Sequence, residues 1–136
     1  IKKFDFISLR LFNVYGPKSS SSNYSGVITK FINLQKKGRP LSIFGNGSQT
    51  RSFIHVDDVV EAIIKAAKSN LKKDVFNVGY SKSISIKKLA KFFNSKIKFQ
   101  KAIAGEIRNS DANINKIRKI LNFEPRINLP SGIRNL

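Results

Sequence analysis

An α/β fold is predicted by two observations: short apolar runs alternate with amphipathic stretches along the whole chain, and turn residues separate them. The apolar runs are brief and rich in Phe, Ile, Leu and Val, the pattern of strands buried on both faces. The amphipathic stretches place apolar residues at i, i+3, i+4 and i+7, the spacing of one helical face.

In chain order, Phe4 to Val14 reads as a buried strand ended by Gly16-Pro17, and Lys18 to Ser25 as a polar, serine-rich loop. Ser25 is expected to cap a helix from Gly26 to about Lys37, with Val27, Ile28, Phe31, Ile32 and Leu34 as its apolar stripe and Gly38 as its left-handed stop. Leu41 to Phe44 is a short strand, Gly45 to Ser48 a turn, and Arg51 to Ile54 extended again. Asp57 is expected to cap a helix through about Lys68, its acidic first turn complementing the helix dipole. Val75 to Val78 is a strand ending at Gly79, and Ser85 caps a helix carrying Ile86, Leu89, Ala90 and Phe93. Ile97 to Phe99 is a strand, Asn115 starts a helix that stops at Asn122, and Ser131 to Leu136 resembles the first turn of another. Both ends read as cut.

At 136 residues and 40% hydrophobic content, the chain can bury one ordinary core. It has no Cys, which excludes a disulfide framework, a thiolate metal site and a cysteine nucleophile. No apolar run approaches the roughly 18 residues of a membrane helix, the start lacks a signal-peptide pattern, and a cytoplasmic setting is expected. Basic residues number 26 against 8 acidic, a net charge of +18. That excess suits phosphate neutralisation. Yet Lys36, Lys37 and Arg39, then Lys72-Lys73, then Lys87-Lys88 are spread along the chain rather than clustered, the pattern of a solvated surface.

Gln49 to Val59 carries the sharpest chemical signal. Arg51 stands where an extended segment turns into a helix, and its planar fork suits a phosphate through two parallel charge-assisted hydrogen bonds. His55 is the only histidine. It has no placed partner for a triad and no second ligand for a metal, so a structural role is expected. No metal site is expected anywhere.

Arg10-Leu-Phe-Asn13-Val-Tyr-Gly-Pro17 resembles the strand and turn after the catalytic helix of extended short-chain dehydrogenase/reductases, the NAD-dependent nucleotide-sugar epimerases and dehydratases. The likeness continues in order through Ser25-Gly-Val-Ile28, Leu41-Ser-Ile-Phe44-Gly45, Arg51-Ser-Phe-Ile-His-Val-Asp57-Asp58, Phe76-Asn-Val-Gly79, Ser85 to Ala90, Gly105-Glu106-Ile-Arg108 and Asn115 to Pro125. Any one piece is weak, but the ordered set is specific and spans nearly the whole chain.

The resemblance implies a Rossmann-type fold, with residues 1–136 as the C-terminal, substrate-binding portion truncated at both ends. Residues about 1–17 and 51–68 would contribute to the NAD domain. Asn13 and Arg51 would meet the diphosphate of a nucleotide sugar; Ser42 and Phe44 would line the base pocket, Val27 would sit where family members place backbone contacts to the nucleotide, and Glu106 would accept from the ribose hydroxyls. Leu11 and Phe12 would lie near the nicotinamide of NAD and the sugar ring. A UDP-sugar is the expected ligand, with neither nucleic acid nor membrane as partner, and a homodimer is the expected parent.

One position departs from the family pattern. An arginine usually stands two residues before the Gly-Glu of the late loop, and Ile103 occupies that place; Lys101 or Arg108 could compensate. The chemical groups are elsewhere too. No Gly-x-x-Gly-x-x-Gly turn is present, and Tyr15, Tyr24 and Tyr80 have Ser19, Ile28 and Ile84 four residues on, so no Tyr-x-x-x-Lys pair exists. No catalytic residue is therefore assigned within this chain, and the segment alone is not expected to turn over. Two other readings stay open: a non-catalytic relative that senses a nucleotide, and a basic nucleic-acid module.

Overall fold

A computed structural model of the chain describes residues 4–19 and 26–136. The Ser25 cap and most of the serine-rich loop lie outside the described residues. Strand β1 (Ile7–Leu11) pairs in parallel with β6 (Asp74–Val78), Leu9 opposite Phe76. The expected single strand from Phe4 to Val14 is broken. At Asn13 the backbone turns through φ 29°, and β2 (Val14–Tyr15) resumes beside a different partner, β5 (Ile54–His55). The break has a physical cause in hydrogen bonding. Phe12 N–H still donates to Val78 at 2.9 Å, whereas the Asn13 carbonyl accepts from Ile54 at 3.4 Å, so the partner changes across one residue. Asparagine tolerates this region of φ better than most residues.

Helix α1 (Val27–Lys36) follows, with Gly26 in the cap position. Gly38 is left-handed at φ 62°, and the N–H groups of Gly38 and Arg39 donate back to Gln35 and Leu34, each at 2.9 Å, closing the last turn as expected. Strand β3 (Leu41–Phe44) pairs in parallel with β8 (Ile97–Gln100). The extended stretch after the turn forms β4 (Thr50–Arg51), the centre of a small sheet between antiparallel β7 (Ile84–Ser85) and parallel β9 (Asn109–Ser110). Neither flanking strand was expected from the sequence.

Helix α2 (Val56–Ala67) begins earlier than expected, and its cap is not Asp57. His55 takes that place: its Nδ1 accepts the Asp57 N–H at 3.2 Å, while Asp57 sits in the first turn with an exposed side chain. The helix starts at Val56, so the donor needing an acceptor is Asp57's own N–H. A structural role for His55, buried edge-on against Tyr15 with ring centroids 5.2 Å apart, agrees with the expectation. Ser85 caps α3 (Ile86–Ala90) as expected, accepting from Lys88 at 3.2 Å; a 3-10 turn over Lys91–Phe93 extends it. Helix α4 (Asn115–Leu121) stops at Asn122, left-handed at φ 47°, and α5 (Leu129–Arg134) ends the fold.

Two cores result. One gathers Ile54, Val59, Phe76, Val78, Ile117 and Phe123 around α2, β6 and α4. The other gathers Ile28, Phe31, Leu41, Ile43, Leu89 and Phe93 around α1, β3 and α3. Ile7, Leu9, Ile54, Val59, Ala62 and Ala66, from β1, β5 and α2, belong to or pack against the first core. No described helix is long and apolar enough to cross a membrane.

Candidate functional site

A cavity of about 570 Å³ opens between the second core and the β4 sheet. Its lining includes Asn13, Val27, Ser42, Phe44, Arg51 and Glu106, so all six residues read as substrate contacts converge on one space. Each arrives by a different route. Asn13 comes from the break between β1 and β2, Val27 from the first turn of α1, and Ser42 and Phe44 from alternate positions of β3. Arg51 ends β4, and Glu106 lies in the loop between β8 and β9.

The polar groups of the cavity are already ordered by the protein. Arg51 is largely buried, its side chain 16% exposed. Its Nη1 donates to the Thr50 carbonyl at 2.8 Å and, at 3.4 Å, to that of Arg108; its Nη2 lies 3.4 Å from Glu106 Oε1. A guanidinium held this way keeps its fork in a fixed plane, which lowers the ordering cost of meeting an oxyanion. Asn13 Nδ2 donates to the Ser52 carbonyl at 2.8 Å, leaving its second amide hydrogen for another acceptor. Phe44 is 41% exposed and presents a ring at the wall of the cavity.

Leu11 and Phe12 stand apart from this space. Leu11 is 47% exposed at the end of β1, and Phe12 packs against the first core. At the position of the expected arginine, Ile103 lines the cavity as an exposed apolar side chain. The side chains of Lys101 and Arg108 are not part of the lining; Arg108 contributes only its carbonyl to Arg51. The second cation of the lining is Lys30. It follows Val27 by one turn on the face that also carries Phe31 and Leu34, so helical spacing was the available signal. Gln49 is also present in the lining, two residues before Arg51 in an extended segment and hence on its side. Among the described residues no group of three His, Cys, Asp or Glu is placed to hold a metal ion.

Parallel strands joined through helices, with a cavity that carries a few convergent polar groups, define a Rossmann-type α/β protein. Residues 2–79 match the NAD dependent epimerase/dehydratase family, and the chain belongs to that family. A UDP-N-acetyl-alpha-D-glucosaminuronate decarboxylase of Bacillus cytotoxicus is 32% identical, over 93% of this chain and 43% of the relative. A UDP-glucose 4-epimerase of Mycolicibacterium smegmatis is 32% identical, over 89% of this chain and 41% of the relative. The crystal structure of UDP-glucose 4-epimerase from Thermotoga maritima with UDP-glucose superposes with a TM-score of 0.89 at 28% identity, over 96% of this chain and 44% of that one. The chain thus spans less than half the length of these relatives.

Proposed function

We propose that this chain is the nucleotide-sugar-binding portion of an NAD-dependent epimerase or dehydratase, and that its ligand is a UDP-sugar. The observation that carries the reading is the convergence of Asn13, Val27, Ser42, Phe44, Arg51 and Glu106 on one cavity. In this reading Arg51 and the free amide hydrogen of Asn13 meet the diphosphate, Phe44 packs on the base beside Val27 and Ser42, and Glu106 accepts from the ribose. The contribution of this chain is positioning: it holds the nucleotide so that the sugar ring is presented in one orientation.

NAD would supply hydride transfer to and from the sugar. No glycine-rich turn is present in this chain, so it does not by itself cradle the cofactor's pyrophosphate. What it would offer is Leu11, with an exposed side chain, and Phe12 at the end of β1. The reading extends to a homodimeric parent working in the cytoplasm.

Calorimetric titration of the chain with UDP tests the assignment. Wild type is expected to bind, and Arg51→Ala to lose about tenfold or more, the scale of one charge-assisted hydrogen-bonded contact. Equal affinity for the two proteins would remove Arg51 from the site.

A further inference from the structure

We propose that Gln49 is a positioning residue that sets Glu106 for the ribose hydroxyls of the nucleotide, an inference that rests on the UDP-sugar reading above. The side-chain amide of Gln49 bridges two walls of the cavity. Its Nε2 donates to the Phe44 carbonyl at 3.0 Å and approaches Glu106 Oε1 and Oε2 at 3.3 and 3.4 Å. One amide therefore joins the end of β3, which carries the ring proposed for the base, to the loop that carries the proposed ribose acceptor.

Glu106 needs such a tie. It follows Gly105, left-handed at φ 77°, in a loop whose local bond is Glu106 N–H to the Ile103 carbonyl at 3.3 Å. The other group holding its carboxylate is Arg51, through Oε1. With Arg51 as sole partner, the carboxylate would settle onto the guanidinium and occupy the fork that the diphosphate requires. Gln49 draws the carboxylate toward β3 and leaves lone pairs of both oxygens open to a vicinal diol. A neutral amide does this without adding charge, which neither a carboxylate nor an ammonium at position 49 would achieve.

The test compares binding of UDP and 2′,3′-dideoxy-UDP to the whole chain by calorimetry. Wild type is expected to prefer UDP by about tenfold, the scale of hydrogen bonds to a charged acceptor. Gln49→Met, close in length but unable to donate, is expected to bring that ratio to about two or below, with affinity for dideoxy-UDP falling less than affinity for UDP. Glu106→Gln should lower the ratio in the same way, and the double variant should lose little more of it than either single one, because the two residues act as a unit. A Gln49→Met protein that keeps the full preference while Glu106→Gln loses it would overturn the positioning role and leave the UDP reading standing. Gln49→Ala is read in the same way should the methionine variant fail to fold. A wild-type chain that binds neither nucleotide would overturn both readings.

Discussion

The carboxylate of Asp58 accepts the backbone N–H of Arg126 at 3.0 Å, and its other oxygen accepts that of Ile127 at 3.1 Å. Asp58 is buried in the first turn of α2, and these bonds fasten to it the segment between α4 and α5. The two acids that open the helix therefore do different work: Asp57 faces solvent, and Asp58 is a tether.

Removing that tether should be costly. Asp58→Ala would leave two backbone donors without their acceptor, and a loss of roughly 2–4 kcal/mol of stability is expected. Asp58→Asn keeps one acceptor oxygen and should lose less. Urea denaturation of the three proteins gives the comparison, and a wild-type midpoint for Asp58→Ala would exclude the tether.

Phe44 should matter for ligand far more than for folding, because its ring is partly exposed at the cavity wall. Aromatic–base stacking contributes about 1–3 kcal/mol, so Phe44→Ala is expected to weaken UDP binding by about tenfold, with Phe44→Tyr close to wild type. The melting temperature should move little. A large thermal loss with unchanged UDP affinity would mark Phe44 as a core residue.

Gly79 is constrained by space. A Cβ there would lie 2.5 Å from Ala112 Cβ, 3.0 Å from Ser52 Oγ and 3.1 Å from Phe12 Cβ. Ser52 is fully buried and its hydroxyl donates to the Tyr80 carbonyl at 2.6 Å, so this neighbour has little room to yield. Overpacking on this scale costs about 1–3 kcal/mol, and Gly79→Ala should lose that much in urea denaturation. A variant as stable as wild type would mean that β6 can shift away from β9.

Acid should weaken the fold in part through Asp74. A hydrogen bond from Lys116, aided by the Val75 N–H, holds its carboxyl below the ordinary value of 3.8. A carboxyl depressed in the folded state contributes stability that is present above the unfolded pKa and is lost as pH falls through the folded one. Glu124, lowered by its hydrogen bond from Arg118, acts in the same direction. Unfolding free energy should therefore fall more steeply below about pH 4 in wild type than in Asp74→Asn. Parallel profiles for the two proteins would contradict the assignment.

The sequence made the longer elements legible because local physics decides them. The stripe of α1, the cap of α3, the left-handed stops at Gly38 and Asn122, and the apolar runs of β3, β6 and β8 all follow from residues close in sequence. What it hid depends on distant partners. The break at Asn13 exists because β1 and β2 face different strands, and β7 and β9 are strands because β4 lies between them. His55 was missed as a cap because an imidazole accepts only as a neutral tautomer, which residue type alone does not reveal. Arg51 was legible from its place at a strand–helix corner and the other five residues through their resemblance to a family, whereas Gln49 entered only when separate elements were brought together.

Among the described residues, every strand pairing joins segments that are not neighbours in the chain, and no two consecutive strands form a hairpin. Such a topology has high contact order: long loops must close before any ladder repays their entropy. Refolding should accordingly be slow for a chain of this size, with helices gathering ahead of the strands. Residues 126 and 127 must have left the ribosome before Asp58 can find its donors, so this tether on α2 forms only after α4 has been made.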